Sequence, residues 1–284
     1  MRKKQIESEP YSHPSLPLKH DLKLNYTLSY LIAAFIAGTT VISYIFQSTI
    51  YPSTELLISF LPSDAAMLII GLPTLLVSIS LTKRGVLTGL LLWPGVLLFV
   101  FYNYLIYVLA VPFNLGYLLQ LTLVGLSAYN LICLVPNIDG NELKEKLTNA
   151  VPERLSGIIL AGLGLLFLVR SAAELITSLI NQTSISNTAI ALNATDFLIS
   201  PVWIACGILL WKRKAFGYIT GLGMLFQASM SFIGLIFVLI VQPFISSEPF
   251  PLLDIAIVFV MGFICFIPMI FFLRGVKSVR NRQF

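Results

Sequence analysis

The sequence predicts an all-α fold, a polytopic membrane bundle of about eight transmembrane helices. Of its 284 residues, 57% are hydrophobic and only 11% are charged, and the mean hydropathy is +0.89. Soluble domains carry about 25% charged residues, so this chain has too few to cover a water-facing surface. Its apolar runs are unbroken and about 20 residues long, which fits membrane-crossing helices rather than the short alternating strands of a barrel.

The apolar runs place the predicted helices in two sets of four. The predicted spans are 27–50, 64–82, 86–110, 113–135, 156–180, 194–211, 216–241 and 251–273. Pro112 separates the third span from the fourth, because proline does not continue a helix without breaking its hydrogen bonds. A single helix over both runs would also be far longer than a bilayer requires.

The basic residues predict the orientation of the chain. The loops at 51–63, 111–112, 181–193 and 242–250 contain no lysine or arginine. The alternate loops and the two chain ends hold every basic residue except Arg170. Because basic loops remain in the cytoplasm, we expect both termini to be cytoplasmic.

The same pattern divides the chain into two halves. Residues 1–25 are predicted to be a disordered cytoplasmic tail, 26–135 a first four-helix half, 136–154 a cytoplasmic linker, 155–274 a second four-helix half and 275–284 a second tail. The net charge of +5 is explained by the basic loops, so no nucleic-acid partner is expected. The expected partner is the lipid bilayer, and a second copy or another membrane subunit is left open.

The two halves are predicted to be an internal repeat. A shift of 132 positions, the separation of Asp64 and Asp196, also places Thr-Gly-Leu at 88–90 on the same sequence at 220–222. The predicted spans and basic loops coincide under this shift without a gap. Since each half has an even number of spans, the halves would share one orientation, related by an axis along the membrane normal.

Arg170 is the most informative polar residue, because it lies inside the fifth predicted span. Glu174 follows one helical turn later on the same face. Charged side chains inside membrane helices usually face the bundle interior or an aqueous cavity. The pair is interpreted either as a site for an anion or another solute, as a gate, or as a structural ion pair near the outer boundary.

Four further polar residues are candidates. Asp64 and Asp196 occupy equivalent positions at the outer ends of two predicted spans, where aspartate commonly caps a helix. The alternative is an acidic outer mouth that attracts cations. Asn103 lies among tyrosines in the third span and Gln227 lies in the seventh, and both need hydrogen-bond partners inside the membrane.

The sequence contains no recognisable catalytic or cofactor motif. Its only histidines, His13 and His20, lie in the predicted tail, and its three cysteines form no CxxC pair. The HExxH, GxSxG, P-loop and dinucleotide-binding patterns are all absent from it. We therefore expect no catalytic residue, no bound metal and no cofactor, and enzymatic activity is not indicated.

Two stretches carry a resemblance to known proteins. The sequence WKRKAFGYITGLG at 211–223, together with LLLWPG ending at Gly95, is similar to multi-pass membrane proteins of prokaryotes that have no assigned activity. The resemblance implies a prokaryotic plasma membrane as the location. It implies no activity and no site residues.

Three functions are compatible with the sequence. The first is a small-solute carrier or permease-like protein, favoured by the predicted repeat, the Arg170–Glu174 pair and the prolines inside several spans. The second is a structural or accessory subunit of a membrane complex, because little of the chain lies outside the membrane. The third is a lipid-acting membrane enzyme, for which no catalytic group is visible.

Overall fold

A computed structural model describes residues 16–246 and 249–281. The eight helices in this part of the chain that are long and apolar enough to cross a membrane are α1 Lys23–Ile45, α2 Thr54–Lys83, α3 Leu87–Ala110, α4 Leu115–Leu134, α5 Glu153–Asn181, α6 Asn187–Trp211, α7 Ala215–Val241 and α8 Leu252–Asn281. These helices confirm the predicted helical membrane bundle. Most of the first predicted tail, 1–15, and the end of the second, 282–284, lie outside the described residues.

Two helices begin well before their predicted starts, α2 and α6. Ser53 and Ser186 cap them, each side-chain oxygen accepting from a backbone N–H three residues further on, as serine commonly does at a helix N-terminus. As a consequence, Asp64 and Asp196 lie well inside α2 and α6 rather than at their ends. The interpretation of these two aspartates as helix caps is therefore wrong.

Helix α2 is the least regular of the spans. It contains Pro62, which removes one backbone hydrogen-bond donor from the helix. A π-helical turn, Met67–Gly71, follows. Such turns are rare and occur frequently at functional sites. Asp64 lies between these two irregular features.

The same helix neighbours recur in the two halves. In the first half α1 packs on α2 and α4, and these two pack on α3. In the second half α5 packs on α6 and α8, and these two pack on α7. Between the halves α3 packs on α7 and on α6, and α7 packs on α2. A duplication would produce this correspondence, but the repeat itself stays a prediction.

The halves meet where α3 crosses α7. A Cβ atom added to Gly95 would overlap the backbone of Gly223, and only small residues allow helices to approach so closely in lipid. In the apolar stretch of each helix, 67% of the residues of α3 are buried, compared with 22% of those of α8. Helix α3 is therefore central in the bundle and α8 is peripheral.

The linker contacts both ends of the described chain. Leu18 forms an isolated β-bridge with Ile138, so residues 17–19 lie against the linker, in contrast to the predicted disordered tail. Asp139 caps the linker helix, Gly140–Leu147, which packs on α7 and α8. We call this side of the bundle the linker side and the opposite side the far side.

Candidate functional site

Arg170 on α5 forms an ion pair with Asp196 on α6. Nη2 of Arg170 lies 2.7 Å from Oδ2 of Asp196, a charge-assisted hydrogen bond. The carboxylate of Glu174 is more distant, with 3.7 Å between Nη1 of Arg170 and its Oε2. The main partner of Arg170 is therefore on the neighbouring helix, and the predicted partner Glu174 makes only a longer contact.

Tyr102 on α3 contacts the same carboxylate. Its hydroxyl donates to Oδ1 of Asp196 at 2.7 Å, so both carboxylate oxygens have a partner. The side chain of Asp196 is 5% exposed, whereas those of Arg170 and Glu174 are 41% and 40% exposed. We call Arg170, Glu174, Asp196 and Tyr102 the Arg170 cluster, and it contains one cation and two carboxyl groups.

Small residues bring α5 and α6 together below the Arg170 cluster. A Cβ atom added to Gly157 would lie 2.6 Å from the carbonyl oxygen of Gly207, and one added to Gly164 would lie 2.7 Å from that of Ser200. Contacts of this kind let helix backbones approach closely. They fix the register of the antiparallel pair, and this register brings Arg170 opposite Asp196.

Two more polar side chains are buried beside the Arg170 cluster. Within the described chain, Oγ of Ser171 and both amide atoms of Asn193 have no hydrogen-bond partner, although these residues are 0% and 1% exposed. Asn193 lies about one turn from Asp196 on the same face of α6, whereas Ser171, next to Arg170 in the chain, lies on a different side of α5. Because unpaired buried polar atoms are costly, the amide of Asn193 is an unsatisfied polar group close to the Asp196 carboxyl group.

The predicted shift of 132 positions pairs Asp64 with Asp196, but the surroundings of Asp64 differ. It is 0% exposed, and the Tyr51 hydroxyl donates to its Oδ2 at 2.6 Å. In the described residues its Oδ1 has no hydrogen-bond partner, and no lysine, arginine or histidine forms an ion pair with it. The same predicted shift pairs Arg170 with Gly38, so the first half has no cation at that position.

Tyrosine hydroxyls of α3 form hydrogen bonds at Asp196 and close to Asp64, and none of them bonds Asn103 in the described chain. Nδ2 of Asn103 donates at 2.8 Å to the carbonyl of Phe99 in its own helix. Tyr102 reaches Asp196, as described above. On another face of α3, Tyr107 donates at 3.2 Å to the carbonyl of Phe60, one turn before Asp64.

Gln227 lies in a separate contact within the second half. Its Oε1 accepts from Nε1 of Trp203 at 2.7 Å, and its Nε2 donates to Oγ of Ser231 at 3.1 Å. The side chain is 0% exposed, so it holds α6 against α7. Gln227 is therefore placed in packing between helices and not in the Arg170 cluster.

Sequence reasoning missed Tyr51 and Tyr102 as partners of the two aspartates. Tyr102 lies inside the third span, where its hydroxyl was expected to serve Asn103, and Tyr51 follows the first predicted span, where tyrosines are usually interfacial anchors. In the described part of the chain no group of three or more histidine, cysteine, aspartate or glutamate side chains is placed to hold a metal.

Comparisons of the chain with protein-family models, with curated proteins and with solved structures find no match. The eight apolar helices and their packing define the molecule as an integral, multi-pass membrane protein. The resemblance to prokaryotic membrane proteins stays a prediction.

Proposed function

We propose that the protein is a carrier of small solutes and that the Arg170 cluster is its binding site. The observation that carries this proposal is the ion pair between half-exposed Arg170 and buried Asp196 inside two spanning helices. A charged side chain costs at least about 2.5 kcal/mol at the centre of a membrane helix. Such residues commonly mark solute or ion pathways, and this cluster contains three of them.

The balance of charge in the cluster favours a solute with an amino group. Asp196 and Glu174 together outnumber the single cation Arg170, so a free anion would meet net repulsion. An ammonium group would gain a carboxylate partner at Glu174, which makes only a 3.7 Å contact with Arg170. The unpaired amide of Asn193 adds hydrogen-bonding capacity for the same solute.

The orientation that we propose follows from the basic residues. The linker-side segments carry the lysines and arginines, whereas the far-side loops at 51–53, 111–114, 182–186 and 242–246 carry none. Because basic segments remain in the cytoplasm, the linker side is cytoplasmic. The Arg170 cluster then lies nearer the outer face of a prokaryotic plasma membrane.

Uptake into proteoliposomes tests the proposed carrier. A panel of radiolabelled amino acids, polyamines and other small amines is offered to wild type, to Arg170→Gln and to Asp196→Asn. Arg84→Gln is the matched control, because Arg84 is exposed at the linker-side end of α2. We expect uptake of at least one amine to fall more than about tenfold in the two cluster variants, as loss of a charged contact of about 1.5–3 kcal/mol implies, and to persist in the control.

Two results would overturn the carrier proposal. One is wild-type uptake that remains unchanged in Arg170→Gln and Asp196→Asn, both shown by size-exclusion chromatography to be folded. The other is a protein that takes up none of the panel and purifies with a stoichiometric protein partner. That second result would favour the alternative of an accessory subunit in a membrane complex.

A further inference from the structure

The environment of Asp64 differs from that of every other carboxyl group in the described spans. Its side chain is 0% exposed, and the Tyr51 hydroxyl at 2.6 Å is the single hydrogen-bond donor to it among the described residues. Both Oδ1 of Asp64 and the hydroxyl of Tyr104 are buried and unpaired in this part of the chain. An unpaired atom on an anionic carboxylate is more costly than one on a neutral group.

Close to Asp64 the surrounding helices supply hydroxyl groups and no cation, because Lys23 of α1 and Lys83 of α2 lie at the linker-side ends of their helices. Helix α1 contributes Ser43 and Tyr44, whose hydroxyl donates to a backbone carbonyl of α2. Helix α3 contributes Tyr104 and Tyr107, and Tyr51 comes from the segment between α1 and α2. We call these five residues, Ser43, Tyr44, Tyr51, Tyr104 and Tyr107, the Asp64 cage.

Other ionisable groups are remote from the cage or already paired. Helix α7 has one, Tyr218, which bonds Glu153 at the linker side. On α6 they are Asp196, which is paired with Arg170, and Cys206, which is buried and carries no charge partner. On α2 itself they are Glu55 in the first turn, about two and a half turns from Asp64, and Lys83 in the last turn, about five turns away. The cage therefore provides no counter-ion for an ionised carboxylate.

We propose that Asp64 is a proton-binding site, with its carboxyl group un-ionised at neutral pH in this closed arrangement. An isolated carboxylate in an apolar interior neutralises itself rather than remain charged. The added proton turns one carboxyl oxygen into a donor, and it removes a buried negative charge that has no cation beside it. Tyr51 stabilises the other oxygen by donating to it.

Tyr51 connects the cage to the far-side segment between α1 and α2. Tyr51 follows a short helical turn, Gln47–Ile50, and is itself 2% exposed. Nδ2 of Asn114 donates to the carbonyls of Thr49 and Ile50 at 3.3 and 3.2 Å and so holds this turn against α4. Exchange of the proton with water requires Tyr51 to move, and this site is independent of the Arg170 cluster.

Infrared spectroscopy of the purified protein in lipid tests the proposal without any transported solute. At neutral pH the wild type should show the carbonyl stretching band of an un-ionised carboxylic acid, shifted in D₂O. The band should disappear in Asp64→Asn and persist in Asp196→Asn. In Tyr51→Phe, which keeps the ring and loses the hydroxyl, the band should persist at a shifted frequency.

Three results would overturn the proton site. One is the absence of the band in wild type at neutral pH, which needs no variant to fold. Another is a band that survives unchanged in both Asp64→Asn and Tyr51→Phe. The third is a band that disappears when sodium chloride replaces choline chloride at constant pH, because the cage would then be a cation site.

Discussion

The two halves of the molecule share their helix neighbours but differ in the hydrogen bonds between their peripheral helices. In the first half Nδ2 of Asn25 on α1 donates at 2.9 Å to Oδ1 of Asn130 on α4, and Nδ2 of Asn130 donates at 2.7 Å to Ser29. Nε1 of Trp93 on α3 donates to the same serine at 2.9 Å. A buried network therefore joins three helices of the first half near the linker side.

In the described second half, the positions that the predicted shift pairs with these residues form no such network. The shift of 132 positions pairs the four residues of the network with residues that cannot form it. Asn25, Ser29, Asn130 and Trp93 correspond, in that order, to Gly157, Ala161, Gly262 and Leu225. Gly157 and Ala161 let α5 approach α6 closely. Helix α8 is the least buried of the eight spans. From this difference we expect the first half to be a fixed frame and α8, the least buried span, to move more easily.

The largest effect is expected where the two halves join. Gly95→Val places a side chain where the Gly223 backbone lies, and the overlap should destabilise the fold by about 3 kcal/mol or more. The measurement is thermal unfolding in detergent, with yield of monodisperse protein as a second readout. Gly125→Val is the control, because a Cβ atom there meets nothing within 4 Å, and equal stability of the two variants would contradict the account.

A smaller loss is expected from the network of the first half. Asn130→Leu removes the partners of Asn25 and Ser29 and should cost about 1–3 kcal/mol, because buried polar groups are left unpaired. The control is Ile132→Ala on the same helix, whose side chain is 70% exposed. Reversible unfolding measured in mixed micelles compares the two, and the asymmetry between the halves would fail if Asn130→Leu cost no more than the control.

Double-mutant cycles rank the two contacts of Arg170. The pair with Asp196, at 2.7 Å, should show a coupling energy of about 1 kcal/mol. The pair with Glu174, at 3.7 Å and half-exposed on both sides, should show no more than about 0.5 kcal/mol. The single and double variants to glutamine or asparagine are measured by unfolding, and a reversed order would restore the predicted Arg170–Glu174 pair as the main contact.

The smallest effect concerns mobility. Spin labels at the far-side ends of α5 and α8 should give a broader distance distribution than labels at the far-side ends of α1 and α4. The reason is that Asn114 and the Asn25–Asn130 contact restrain the first half at both ends. Distributions of equal width, measured by double electron–electron resonance in lipid discs, would remove the distinction between frame and mobile helix.

The apolar runs and the spacing of basic residues were enough to predict the eight spans, because both depend on composition along the chain. The starts of α2 and α6 were missed because residues 54–63 and 187–193 mix polar residues into the helix. The partner of Arg170 could not be predicted, since it depends on how Gly157 and Gly164 set the register of α5 against α6. The glycines are visible in the sequence, but they do not show which helix packs on them or in what register.

Native mass spectrometry of the protein, purified gently from its own membrane, tests the proposed binding site most directly. Wild type and Arg84→Gln are expected to retain a small molecule that contains an amino group, and Arg170→Gln is expected to lose it. A bound molecule that remains on folded Arg170→Gln would contradict the account, as would a wild type that carries no solute and a stoichiometric protein partner instead.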